Sequence, residues 1–399
     1  MRLIKTFFCL IAGYLLFGVV ACLLPDKPVQ RHIKQTVDRQ EIDRDYPRAI
    51  FSGHHAMMDN FTDALIISQV WNSSSDSIWE SVMQPSRAKY CEEMTTTLKA
   101  QIEGHHTENV KYGRYWHGST FLMRYLLLIW SYESIRLVFG IVTSLLLLFT
   151  LVRIKERIGS WAAFYFIIAA CFVYLFITQF SIQFVPVLVL SLTGMLVMLD
   201  ERRDPLLSCF VIGSLTAYFD LLTTPLLTIG LPLTVWVLAH RDDGSKLLQS
   251  LTEMLKMGVV WGIGFAATWG SKWILATLTT DSNIWADAME NIAIRSGDTA
   301  DYTRFDALTV NLDMLSFRLI VLAAIVMTVL MAIHFRREGW KPALLLLLIA
   351  TVPYLWYIVV ANHSYVHFWF TYRLQFISIL ALFAAAGCMT DWNKLKNKN

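Results

Sequence analysis

Apolar blocks long enough to cross a bilayer recur from one end of this chain to the other, and no other feature constrains its fold as strongly. A helix needs roughly twenty apolar residues to traverse the hydrocarbon core. Blocks of that order stand near 5–24, 133–153, 160–178, 182–199, 206–222, 225–239, 257–278, 316–334, 342–360 and 368–388. Charged residues are only 16% of the sequence, against about a quarter in soluble domains. No soluble core needs so many such blocks. The expectation is an all-α polytopic membrane protein with about ten transmembrane helices. The blocks at 206–222 and 225–239 are short and interrupted by Pro225 and Pro232. They read either as a tilted pair or as one broken excursion from the inner face.

The net charge of +3 matters less than where the basic residues sit. Arg2 and Lys5 precede the first block. Arg153, Lys155 and Arg157, then Arg202 and Arg203, then Arg241, Lys246 and Lys256, then Arg336, Arg337 and Lys341, occupy alternate loops. Lys394, Lys396 and Lys398 close the chain, whereas the turns around 179–182, 221–224 and 361–366 have no lysine or arginine. Cytoplasmic loops carry the lysine and arginine excess, which predicts both termini in the cytoplasm. The expected organisation is then a first transmembrane helix at 1–24 and an extracytoplasmic loop at 25–132. Transmembrane helices two to seven follow over 133–278, a second outer loop over 279–315, helices eight to ten over 316–388 and a cytoplasmic tail over 389–399. Val19-Val20-Ala21-Cys22 after an apolar run also resembles a lipoprotein signal with a lipidated cysteine. Cleavage there would remove one span and leave the loop outside.

Of the six cysteines only Cys91 lies in a polar stretch, so the spacing points to neither a disulfide framework nor a zinc site. Within the long loop, residues 26–50 alternate charges as a solvated surface does. Segments 60–71 and 119–132 read as short amphipathic helices lying on the membrane. The chain contains no internal repeat, low-complexity tract, phosphate-binding glycine loop or nucleic-acid motif.

The unusual polar residues fall on the outer side. Asp59 and Asp63 stand one helical turn apart in Met58-Asp59-Asn60-Phe61-Thr62-Asp63-Ala64. That spacing puts both carboxylates on one helix face at a cost of a few tenths of a kcal/mol. Either Asp59 caps the helix while Asp63 complements its dipole, or the pair supplies a general base, with or without a metal. Arg114-Tyr115-Trp116-His117-Gly118 precedes the return to the membrane. There Tyr115 and Trp116 are ordinary interfacial anchors, whereas His117 is not explained that way. Arg124, Glu133 and Arg136 either snorkel or pair with one another. Asp220, Lys272, Tyr372 and Arg373 lie towards the outer ends of their spans, and His363 and His367 in the last outer turn. Ionisable groups at membrane depth cost roughly 2.5–3.5 kcal/mol on insertion scales, so they face a cavity or a partner. An outward-open polar cavity accounts for all of them, with Arg373 offering a bidentate fork and Lys272 a point charge to a lipid phosphate or pyrophosphate.

A first span, a long outer loop with acids just after it, a surface helix and many further spans resemble the GT-C superfamily of membrane glycosyltransferases. These enzymes take sugar from a polyprenyl-phosphate-linked donor on the outer face. The resemblance implies a lipid-linked sugar donor and a glycan, lipid or protein acceptor. It makes Asp59 or Asp63 the catalytic aspartate, and Lys272, Arg373 and, more weakly, Arg295 the holders of the donor phosphate. His117, Asp220, His363, His367 and Tyr372 would line the substrate site. The superfamily's aspartate either activates the acceptor or binds metal, which leaves a divalent cation (Mg or Mn) open as cofactor. The acids here stand as Asp-Asn-Phe-Thr-Asp, without the adjacent Asp-Glu of protein mannosyltransferases or the Trp-Trp-Asp of oligosaccharyltransferases, and no large soluble domain follows. Asn60, Asn72 and Asn362 begin glycosylation sequons, which count only in a eukaryotic secretory pathway.

Other classes compete. A multi-pass transporter or lipid flippase also uses broken helices and intramembrane ions. An acyltransferase would use His117 or His367 as base, and an assembly subunit would carry a decayed site. Membrane lipids are expected partners, nucleic acid is not, and a bacterial cell membrane is the expected location.

Overall fold

The computed structural model describes residues 1–48, 56–242, 244, 246–297, 302–315 and 317–392. The orienting lysines Lys394, Lys396 and Lys398 lie outside these. The architecture is nearly all helical. Every apolar block falls on a helix, but among the described residues only Arg2–Cys22, Tyr132–Arg157, Arg337–Val359 and Phe368–Cys388 are long and apolar enough to cross a membrane. Ser160–Phe172 and Leu227–Ala239 have 13 residues, and Phe184–Met198 and Pro205–Phe219 have 15. At 1.5 Å per residue these reach about 20–23 Å, short of a hydrocarbon core of about 30 Å.

Local chemistry explains the breaks. The helix expected over 160–178 stops at Phe172 because Tyr174 adopts a left-handed backbone, φ 51°, before a separate turn Leu175–Thr178. The Val173 carbonyl released there accepts a hydrogen bond from the Tyr372 hydroxyl at 3.2 Å. Tyr372 itself begins a 3-10 turn, Tyr372–Leu374, within the final apolar stretch. That stretch is the most enclosed of the four long ones. It packs against Trp340–Val359, Ser160–Phe172 and Leu227–Ala239. Helices Pro205–Phe219 and Leu247–Thr279 approach most closely through glycines. A Cβ added to Gly213 would lie 2.1 Å from the Trp261 carbonyl oxygen, and one on Gly264 would lie 2.3 Å from that of Phe210. Small residues permit this backbone approach between apolar helices.

The 25–132 loop folds into a compact layer on one end of the bundle. Val29, Ile33, Ile66, Ile67 and Val70 form its core with Ile135 and Phe139 of the next long helix, so the layer is continuous with the bundle. Two expectations are corrected here. Helix Asn60–Asn72 does not lie on a surface with one polar face; it is buried nearly all round. Its polar residues are paired inside the layer. Ser68 donates to Gln101 at 2.7 Å, Gln69 accepts from Thr120 at 2.7 Å, and Asn72 donates to Ser86 at 2.9 Å. Helix Gly118–Leu126 is likewise buried along most of its length. The architecture is also not wholly helical: Ser86–Lys89 and Glu108–Lys111 pair as an antiparallel ribbon. The Ala88 amide donates to the Ser68 hydroxyl, so the ribbon is tied to Asn60–Asn72.

Arg124 does not snorkel or pair with Glu133. It is buried and donates five hydrogen bonds, to the Ala21, Leu24 and Val70 carbonyls, the Ser73 hydroxyl and the Asp26 carboxylate. It therefore clamps the end of the first helix to the end of Asn60–Asn72. Cys22, at that first helix's last turn, is buried. In the 279–315 loop, helices Ile284–Ser296 and Arg304–Asp313 form. Trp285, Met289 and Ile292 make an exposed apolar stripe on the first of them.

Candidate functional site

Asp59 ends the loop before helix Asn60–Asn72 and caps it, its Oδ1 accepting the Thr62 amide at 3.0 Å. One turn later Asp63 is held by three donors. Its Oδ2 accepts from the Tyr132 hydroxyl at 2.8 Å, and its Oδ1 from the Ile182 amide at 3.1 Å and the Ser181 hydroxyl at 3.5 Å. Burial pushes the Asp59 carboxyl up to about 6, opposed by the Thr62 hydrogen bonds and by Arg373. Burial, then the charge of Asp59, pushes Asp63 up to about 7, opposed by Arg136 and Tyr132. The two acids lie near enough for the charge of Asp59 to act on Asp63.

Arg373 lies beside Asp59. Its guanidinium donates to the Trp369 carbonyl at 3.2 Å and the Met57 carbonyl at 3.4 Å, with its carbon 5.1 Å from the Phe184 and Tyr372 ring centres. The four residues Ser181 to Phe184 form a hub. Ser181 and Ile182 hold Asp63, and Phe184 lies against Arg373. Gln183 donates to Asp220 Oδ1 at 3.3 Å and to the Thr223 hydroxyl at 2.7 Å. Asp220 Oδ2 and Gln183 Oε1 are buried acceptors with no protein donor among the described residues. Buried acceptors without donors are costly, of order 1–3 kcal/mol, and mark a place where water or a ligand hydroxyl is welcome.

Beyond Asp220 the chain turns through Leu222, which holds a left-handed backbone at φ 71°. Its carbonyl meets His363 Nε2 at 2.8 Å. Arg295 Nη1 stands 3.4 Å from His363 Nδ1 and 3.1 Å from His367 Nε2. A guanidinium only donates, so the hydrogen-bond network assigns both of those nitrogens as bare acceptors. His363 then carries its proton on Nε2, towards Leu222, and His367 on Nδ1. Burial and the neighbouring positive charge keep both imidazoles neutral, with His363 well below its ordinary range and His367 lowered to about 4. The Phe370 ring joins the two groups, its centre 5.0 Å from that of His367 and 6.2 Å from that of Phe184. Asp63, Asp220, Arg373, His363, His367 and Arg295 therefore form one continuous layer.

Three expected members are placed elsewhere. Lys272 does not point at the acids; it donates to the Val82 carbonyl at 2.7 Å and lies 5.2 Å from the Trp116 ring centre. His117, in a left-handed conformation at φ 57°, meets the Tyr112 carbonyl through Nε2 at 2.6 Å. Burial first, and then Lys272, lower it to about 3. Tyr372, expected to face substrate, spends its hydroxyl on Val173.

Beside the layer opens a cleft of about 220 Å³ lined by Arg114, Tyr115, Leu222, Trp269, Trp273 and Arg295. Arg114 is fixed by Asp287 through bonds of 2.9 and 3.0 Å. Trp269 and Trp273 both donate to the Arg114 carbonyl. An arginine-bearing mouth with indole walls suits a phosphate carried on an apolar tail. Tyr115 lines this cleft rather than serving only as an interfacial anchor, and Gln183 joins the site without having been expected there. The one signal for Gln183 was an amide opening an apolar block. Among the described residues no three His, Cys, Asp or Glu side chains converge as a metal-binding group. No protein-family model, curated protein or solved structure matches the chain.

Proposed function

We propose that the chain is a membrane glycosyltransferase that moves a sugar from a polyprenyl-phosphate-linked donor to a glycan, lipid or protein acceptor on the extracytoplasmic face. In this reading the helices make about ten crossings, the shorter ones completed by non-helical ends, with both termini in the cytoplasm. The observation that carries it is Asp59: a buried acid just after the first span, raised to about 6 and set beside Arg373. A base whose pKa lies near working pH is both ionised and able to take a proton.

Asp59 removes the proton of an acceptor hydroxyl as that oxygen attacks the anomeric carbon. The bond to the lipid phosphate breaks on the opposite side, which inverts the configuration. Arg295, assisted by Arg114, holds the departing phosphate charge, and the indole walls of the cleft take the start of the lipid. Lys272 yields the donor role to Arg295, and Asp63 positions the helix that carries Asp59. Asp59→Asn is expected to lower transfer of labelled sugar from a polyprenyl-phosphate donor about 100-fold or more, with unchanged elution in detergent. Wild-type transfer by a folded Asp59→Asn protein would sink the assignment.

A transporter or flippase is the second reading, favoured by the helix broken at Tyr174 and the half-satisfied Asp220–Gln183 pair, features that transporters place along a substrate path. Lipid flux across liposomes with no covalent product would select it.

A further inference from the structure

The opposite end of the bundle holds a second pocket that plays no part in the reaction above. We propose that it binds the phosphate headgroup of an anionic phospholipid. The cavity, about 380 Å³, lies where helix Leu227–Ala239 ends and helices Leu247–Thr279 and Trp340–Val359 begin.

The charge of its described lining is unbalanced. Among the described lining residues Arg241, Arg336 and Lys341 stand against Asp242 and Glu338. Arg241 and Arg336 both spend charge on Asp242, at 3.2 and 3.0 Å, and Glu338 stands 4.0 Å from Arg336. The half-buried Lys341 has no hydrogen-bond or ion-pair partner among the described residues and lines the cavity. One helix start adds to the positive field. Leu247 and Ser250 line the pocket, and helix Leu247–Thr279 has neither a side-chain cap nor an acid in its first turn. Uncapped first-turn amides with an attendant cation make an anion site.

Two further observations select a lipid over a soluble anion. Trp236 and Trp340 form part of the wall. Alongside, the Trp161 and Trp392 rings stack at 5.6 Å, with Arg241 5.7 Å from the Trp161 ring centre. Tryptophans gathered at one end of an apolar bundle mark headgroup depth. Below the cations the lining turns apolar at Leu345, and Leu344 and Leu348 on the same helix are exposed along the path an acyl chain would follow. Basic pockets between helices at this depth hold acidic headgroups.

The test is thermal unfolding of the full chain in a zwitterionic detergent, titrated separately with short-chain phosphatidylglycerol, phosphatidylcholine and inorganic phosphate. Phosphatidylglycerol is expected to raise the midpoint saturably and the other two are not. Lys341→Gln should weaken the apparent affinity about fivefold, the loss expected for one lysine near a surface, and Lys341→Arg should restore it. Equal shifts with phosphatidylcholine, unchanged affinity in Lys341→Gln, or inorganic phosphate binding as tightly as the lipid would each overturn the proposal. Should Lys341→Gln not fold, photo-crosslinking of a reactive phosphatidylglycerol to the wild type decides. Adducts are expected within 236–250 or 336–345, and adducts only elsewhere refute it.

Discussion

The acids of the loop layer behave differently from surface carboxylates, and this gives pH dependence a definite sign. Asp59 and Asp63 are raised from an ordinary value near 3.8 to about 6 and about 7. The folded chain therefore holds these protons more tightly than the unfolded chain. Their contribution to stability is complete below about 4 and is lost as pH rises through about 6 to 7. The midpoint of unfolding in detergent is expected to fall between about pH 4 and pH 7 and then level off. Asp63→Asn should flatten that slope, and an unaltered slope in the variant would refute the account. The sequence displayed the acid pair and Asp59 as a helix cap, because a carboxylate just ahead of an apolar helical run suits that position. It did not show where Lys272 points. Depth along a helix is readable from hydropathy, but the side chain's azimuth depends on partners such as Val82 and Trp116, far away in the chain. Gln183 was passed over for the same reason: its partners Asp220 and Thr223 lie some forty residues downstream.

Among elements, the positions of helices were legible and their ends were not. Apolar runs announce a helix wherever they occur, but a run of aromatics gives no warning that Tyr174 will turn left-handed. The polar face of Asn60–Asn72 matched a surface helix because Ser68, Gln69 and Asn72 carry the same composition whether they meet water or one another. The ribbon is set by cross-strand and helix contacts that no local pattern encodes. The helix pair joined at Gly213 and Gly264 permits a strict test. No rotamer relieves a backbone oxygen 2.1 Å from a Cβ, so Gly213→Ala must push the helices apart. Its cost is expected at about 1–3 kcal/mol, the range for overpacking a well-filled core. Gly258→Ala on the same long helix, where a Cβ meets open space, should be neutral or slightly stabilising. Comparison of thermal midpoints checks both, and a silent Gly213→Ala would show that the close approach is absent.

For the molecule as a whole, the proposed sidedness can be read chemically from the cysteines it already has. Cys91 is exposed in the loop layer, whereas Cys22, Cys209 and Cys388 are buried. Cys9 and Cys171 are exposed on apolar helices, where a charged reagent does not reach them in a bilayer. A membrane-impermeant maleimide applied to intact cells is expected to modify the chain at Cys91. Modification only after permeabilisation would reverse the orientation. The Arg124 clamp carries one more consequence, about order in time. All five of its acceptors, from Ala21 to Ser73, precede it in the chain. As the polypeptide emerges, the Ser68–Gln101 and Asn72–Ser86 pairs of the layer have both partners in hand before residue 124 arrives, whereas the tie between the first helix and the end of Asn60–Asn72 must wait for that one side chain.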